Sequence, residues 1–89
     1  MAYKNHFSPS QMRFIFNRDG GICIYCGAQA TEIDHVVPVK MGGKARHNNG
    51  VCCCKKCNCR KREHLDEYLT RGIFWLMHCG EDMKWVDNI

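Results

Sequence analysis

The sequence predicts a small α+β domain stapled by a metal cage. Three observations carry that expectation. The chain has 89 residues, which limits the core it can bury and calls for a staple. Eight cysteines are present, and four of them form two C-x-x-C pairs, Cys23 with Cys26 and Cys54 with Cys57. Between the pairs lies "EIDHVVP", residues 32–38, a β-branched run of strand character set among stretches of helical spacing.

The elements follow in order. "SPSQMRFIFNRDGG" predicts a first helix. Ser8 suits the N-cap, Pro9 the first helical position, and Gln11 completes a capping box. Met12, Ile15 and Phe16 recur on one apolar face, and Gly20 and Gly21 stop the helix. "CIYCG" then reads as a tight turn, with Tyr25 packing over it, and residues 31–39 as a first strand. "KMGGKARHNN" is a loop, because Gly42, Gly43 and two asparagines break any period. Residues 49–54 read as a short second strand. A second helix is expected over 56–70, with Leu65, Tyr68 and Leu69 facing inward and Gly72 behind it. The apolar tail "IFWLMHCGEDMKWVDNI" is expected to pack, Trp75 and Trp85 covering the core. Its pattern leaves helix and strand both open. With no linker or repeat, residues 1–89 read as one domain, its motif core at 18–61 and a C-terminal helix and extension at 62–89.

The opening "MAYKNHFSPS" lacks the apolar core of a secretory signal, and no stretch is long enough to span a bilayer. The run Cys52, Cys53, Cys54 is awkward for disulfides, since adjacent residues rarely reach three partners with good geometry. An intracellular, reducing setting is expected, where cysteine pairs bind metal. Four thiolates from Cys23, Cys26, Cys54 and Cys57 suit a tetrahedral zinc ion. The gap between the pairs exceeds the common ribbon spacing, and a two-strand insertion explains it. Cys52 or Cys59 could compete for the ion. As a set, Cys52, Cys53, Cys59 and Cys79 read better as small hydrophobes. A four-sulfur shell leaves no open position, so the zinc would brace the fold and take no part in catalysis.

Thirteen Lys and Arg stand against nine Asp and Glu, a net charge of +4. The distribution says more than the total. Lys55, Lys56, Arg60, Lys61 and Arg62 crowd together, while Lys40, Lys44, Arg46 and His47 share one loop. Such clusters suit a nucleic-acid backbone.

A second constellation differs in its donors. Asp34, His35, Asn49 and Asn58 offer hard oxygens, which suit magnesium, manganese or calcium, and an imidazole able to take a proton near neutral pH. Cation, base and basic surface together fit attack of water on a phosphodiester. His6, His64 and His78 have no such surroundings and read as surface or packing residues. His47 is loop polar filler or a phosphate contact.

"RDGGICIYCG", "EIDHVVP", the Gly pair and "NGVCCCKKCNCRK" in that order resemble the HNH endonucleases of the cysteine-bearing, phage and bacterial kind. The resemblance spans residues 18–61. It implies a ββα-metal fold (His-Me finger) around one catalytic Mg2+ or Mn2+ ion. It makes Asp34 a metal ligand, His35 the general base and Asn58 the last metal ligand. It makes Asn49 the middle asparagine, which holds the hairpin loop and orients His35; Asn48 is its rival. It implies a DNA substrate nicked to a 5′-phosphate and a 3′-hydroxyl, with Lys61 as the closing lysine; from the charge clusters, Lys44, Arg46, Lys55, Lys56, Arg60 and Lys61 are expected to grip it. The same residues allow an alternative, a zinc-stabilised nucleic-acid binding module without catalysis, or an interaction domain using the aromatic tail. So small a surface reads few bases, so specificity is expected to be low or supplied by a protein partner or homodimer. The expected settings are phage DNA processing, a mobile element or restriction, in the cytoplasm of a bacterial host and away from membranes.

One geometric difficulty stands out. In a regular strand Asp34 and His35 point to opposite faces. Both can serve one phosphate only where the strand twists, bulges or ends.

Overall fold

The computed structural model describes residues 5–88. It contains α1 (Pro9–Asp19), β1 (Glu32–His35), β2 (Gly50–Cys53), α2 (Lys55–Arg60) and α3 (Leu65–His78). Short 3-10 turns lie at Val39–Met41, His47–Asn49 and Lys84–Asn88. The two strands pair antiparallel, Glu32 opposite Cys53 and His35 opposite Gly50.

Helix α1 starts where its capping box dictates. The Gln11 backbone N–H donates to Ser8 Oγ at 3.2 Å, and the Ser8 N–H donates to Gln11 Oε1 at 2.8 Å. Ile15 is fully buried, Phe16 half-buried and Met12 exposed, so one of the three expected apolar positions faces water. The last helical residue, Asp19, anchors α1 to the rest of the fold. Its buried carboxylate accepts from Arg18 Nε (2.7 Å), Trp75 Nε1 (2.9 Å) and the Cys52 backbone N–H (2.9 Å). Arg18 in turn donates to the carbonyls of His47 and Gly50. A buried carboxylate is tolerable when paired and bonded in this way.

β2 shows the pleat's alternation. Val51 and Cys53 enter one core cluster with Tyr25, Val36, Tyr68 and Leu76, while Cys52 enters the other with Phe7, Ile15, Ala30 and Ala45. Cys52 and Cys53 are thus the small apolar fillers expected of them; Cys59 is exposed and Cys79 half-buried. Trp75 packs on the first cluster. Trp85 does not cover the core as expected; it borders a hollow beside Gly42, Lys44 and Arg46.

The strand expected over 31–39 stops at His35, because the Val36 and Val37 N–H groups turn to Asn49. The single helix expected over 56–70 is two helices. After Arg60 the bonds tighten to three-residue turns, Glu63 to Arg60 at 3.1 Å and His64 to Lys61 at 3.2 Å. α2 keeps Cys57 in the cysteine cluster, and α3 packs over the end of β1. α3 then runs on through the expected stop at Gly72, so the first part of the tail is helical. Gly72 is needed there for space. A Cβ would lie 2.7 Å from Val36 Cγ1 and 3.0 Å from Tyr25 Oη. Among the described residues no helix is long and apolar enough to cross a membrane.

Candidate active site

Two clusters of donors face different ways chemically. The first is the cage. The turn after α1 folds into a knuckle, with Gly27 N–H donating to the Cys23 carbonyl at 2.9 Å and Cys23 N–H to the Ala28 carbonyl at 2.7 Å. Cys54 caps α2, its sulfur accepting from the Cys57 N–H at 3.4 Å. These two turns bring Sγ of Cys23, Cys26, Cys54 and Cys57 within 4.8 Å of one another, all as free thiols. Burial pushes the Cys23 thiol up, but backbone N–H groups of Cys54, Cys26 and Tyr25 outweigh it and bring it down to about 7. Four converging soft donors, one of them readily ionised, fit a metal ion such as zinc.

The second cluster lines a cleft of about 690 Å³, formed by Glu32, Asp34, His35, Lys55, Asn58 and Lys61 among others. Asp34 is buried, and its Oδ2 accepts from Tyr25 Oη at 2.8 Å and Lys61 Nζ at 2.7 Å. Burial first, then Asp34, raises the Tyr25 phenol and keeps it a donor. Oδ1 of Asp34 takes no hydrogen bond from the described residues. Lys61 Nζ also donates to the carbonyls of His35 (2.7 Å) and Val36 (2.8 Å). Successive carbonyls of a pleated strand point in opposite directions. Here they converge on one ammonium, so the chain leaves its pleat just past His35, at Val36. Asp34 and His35 both border the cleft, as do Glu32 and Ile33 before them.

The His35 ring lies 4.6 Å from that of Phe7, and its Nε2 is buried without a hydrogen bond among the described residues. Burial lowers its pKa, opposed by the Asn5 backbone and Asp34. Asn58 is half-buried on α2 and donates from Nδ2 to Glu32 Oε1 at 2.6 Å. A carboxylate can only accept, so this bond fixes which end of the amide faces Glu32, and Oδ1 takes no hydrogen bond from the described residues. Asn49 is buried and spends its side chain on the loop. It accepts from Val37 N–H at 2.8 Å and donates to the carbonyls of Val37 (3.1 Å) and Lys44 (3.0 Å). Its rival Asn48 donates only to the Asp82 carbonyl in the tail. Gly43 closes against this knot, where a Cβ would sit 1.7 Å from the Val37 oxygen.

The family model described as HNH endonuclease matches residues 23–74, more than half of the chain. The chain belongs to the HNH endonuclease family. No curated protein matches it significantly.

The HNH match covers both knuckles, both strands, α2 and most of α3. Of the residues expected to grip nucleic acid, Lys44, Arg46, Lys55, Lys56 and Arg60 are exposed and form no ion pair with the described residues. Lys61, expected with them, is buried, and all three of its N–H donors are spent inside the protein. Sequence reasoning missed two further participants. Glu32 carried a signal, since strand alternation puts it on the face of Asp34. Tyr25 carried none beyond its place inside the first C-x-x-C.

Proposed function

We propose that the protein is a metal-dependent DNA endonuclease in which β1, β2 and α2 act as a ββα-metal unit. One observation supports this most: Asp34, His35 and Asn58, from β1 and α2, line a single cleft. The donor set fits a hard divalent cation. Asp34 Oδ1 and Asn58 Oδ1 take no hydrogen bond from the described residues, and Mg2+ or Mn2+ prefers such oxygens. When bound, the ion would offset charge building on the phosphate and the leaving oxygen. His35, kept neutral by burial, accepts the proton of the attacking water. Asn49 holds the loop that follows His35. Lys44, Arg46, Lys55, Lys56 and Arg60 grip the phosphodiester backbone. Zinc in the cysteine cage braces the two knuckles. The products are a 5′-phosphate and a 3′-hydroxyl, and so small a surface gives low sequence specificity.

Plasmid incubated with Mg2+ or Mn2+ tests this reading. The wild type is expected to nick it, and His35→Ala to nick at least about 100-fold more slowly while still binding DNA. Equal nicking by His35→Ala overturns the assignment of the base. Salt-sensitive binding with no nicking by the wild type makes the protein a zinc-stabilised binding module instead.

A further inference from the structure

Lys61 ends α2 one turn after Cys57, its N–H bonded to the Cys57 carbonyl at 2.9 Å. From there the side chain runs inward, and its side chain is only 7% exposed. Three oxygens meet its ammonium: Asp34 Oδ2 at 2.7 Å, the His35 carbonyl at 2.7 Å and the Val36 carbonyl at 2.8 Å. An ammonium has three donors, so none is left for a phosphate. Two of the three acceptors are main-chain groups at the point where β1 loses its pleat. The third belongs to the carboxylate that faces the cleft.

We propose that Lys61 is a positioning residue for phosphodiester hydrolysis: it ties the end of β1 to the end of α2, and it occupies Oδ2 of Asp34 so that Oδ1 alone meets the cation. The proposal rests on the nuclease reading for its chemistry. Tyr25 is the second jaw of the clamp, donating to the same Oδ2 at 2.8 Å from inside the first cysteine pair. A carboxylate held on one oxygen by two donors offers a cation a single, fixed ligand atom. Groups that orient a metal ligand in this way change metal affinity or activity about 10- to 100-fold when removed.

The test uses Lys61→Met, which keeps the stem and removes the charge. Three readouts separate positioning from a backbone contact. Single-turnover cutting is expected to slow about 10- to 100-fold with KM for DNA within about twofold. Mn2+ titrated without DNA, followed by its paramagnetic resonance, is expected to bind about tenfold more weakly. The salt dependence of DNA binding is expected to stay unchanged, whereas losing a phosphate contact lowers its slope by about one. A lowered slope with unchanged cutting of bound DNA, or unchanged Mn2+ affinity, overturns the proposal. If Lys61→Met loses its cooperative unfolding transition, Tyr25→Phe decides in its place. That variant keeps the ring and removes one jaw, so weaker Mn2+ binding with intact DNA binding supports the clamp, and wild-type Mn2+ affinity overturns it. If the wild type fails to cut with either Mg2+ or Mn2+, the nuclease reading fails, and the Mn2+ titration still decides what Lys61 does to Asp34.

Discussion

The cysteine cage and the oxygen-lined cleft lie a single side chain apart, yet they are built by opposite rules. The cage comes from two backbone turns, each of which presents two sulfurs from within four residues. Its four donors converge, each within 4.8 Å of the others. The cleft comes from residues on separate elements, and nearly every one is held by a partner from somewhere else. Asp34 is held by Tyr25 and Lys61, Asn58 by Glu32, and the loop after His35 by Asn49. Among the described residues, what stays unheld is the Oδ1 of Asp34 and of Asn58. A site that fills its own coordination shell can only brace, and a site that leaves oxygens open can bind and react. Tyr25 joins the two, because it sits between Cys23 and Cys26 and bonds Asp34.

Removing the cage metal is the harshest way to break the comparison. Zinc contributes on the order of 10 kcal/mol or more to the folding of small zinc domains, comparable to a whole domain's stability. A strong chelator is therefore expected to abolish the cooperative thermal transition seen by circular dichroism, and cutting should not return on adding Mg2+ alone. A cage-stripped protein that melts cooperatively but does not cut once Mg2+ is restored would move the chemistry into the cage.

Asp34 and Asn58 separate next, since only one of them is part of the buried frame. Both substitutions, Asp34→Asn and Asn58→Ala, are expected to cut cleavage about 100-fold or more, measured at saturating DNA. Their stabilities should differ. Asp34→Asn strands a buried ammonium, which costs on the order of 3–5 kcal/mol. Asn58→Ala loses one half-buried hydrogen bond, worth about 1 kcal/mol. Urea midpoints measure the gap, and equal midpoints would show that the Lys61–Asp34 pair is loosely held.

This contrast also explains what the sequence made legible. The cage was readable because C-x-x-C encodes its own turn. Asp34, His35, Asn49 and Asn58 stand out in the sequence because the family pattern fixes their order, and the structure sets Asp34, His35 and Asn58 around one cleft. The holders were not. A lysine looks the same in sequence whether it meets phosphate or a buried carboxylate, and Lys61 went to the carboxylate. Gly72 reads as a helix stop because glycine is a poor helix former. Its reason lies in Val36 and Tyr25, which are far from it in sequence. The break between α2 and α3 has the same source, since one end serves the cysteines and the other the core.

A smaller effect is expected from pH. Burial disfavours the imidazolium of His35, so the folded ring holds its proton less tightly than an ordinary histidine near 6.5. The proposed base is thus neutral at pH 7. The cutting rate should hold its plateau to below pH 6.5 and only then fall, by about tenfold per unit. The linked stability runs the same way: the unfolded histidine binds the proton first, so acid lowers stability as pH drops through about 6.5. A rate that already falls between pH 8 and 7 would mean that the base is not this buried ring.

The mildest probe compares two lysines on neighbouring turns. Lys55 lies at the start of α2, exposed, at the rim of the cleft, and free of ion pairs with the described residues. Lys61 ends the same helix with its ammonium buried. An exposed cation acts on a polyanion through released counterions, with no effect on the geometry of the reacting groups. Lys55→Ala is therefore expected to weaken DNA binding a few-fold at moderate salt, to lower the salt slope by about one, and to leave cutting of bound DNA unchanged. Filter binding across a salt series, beside single-turnover cutting, reads all three. If Lys55→Ala instead slows the cutting of bound DNA as much as Lys61→Met does, exposure and burial on α2 do not divide grip from geometry, and the distinction between the two ends of that helix falls.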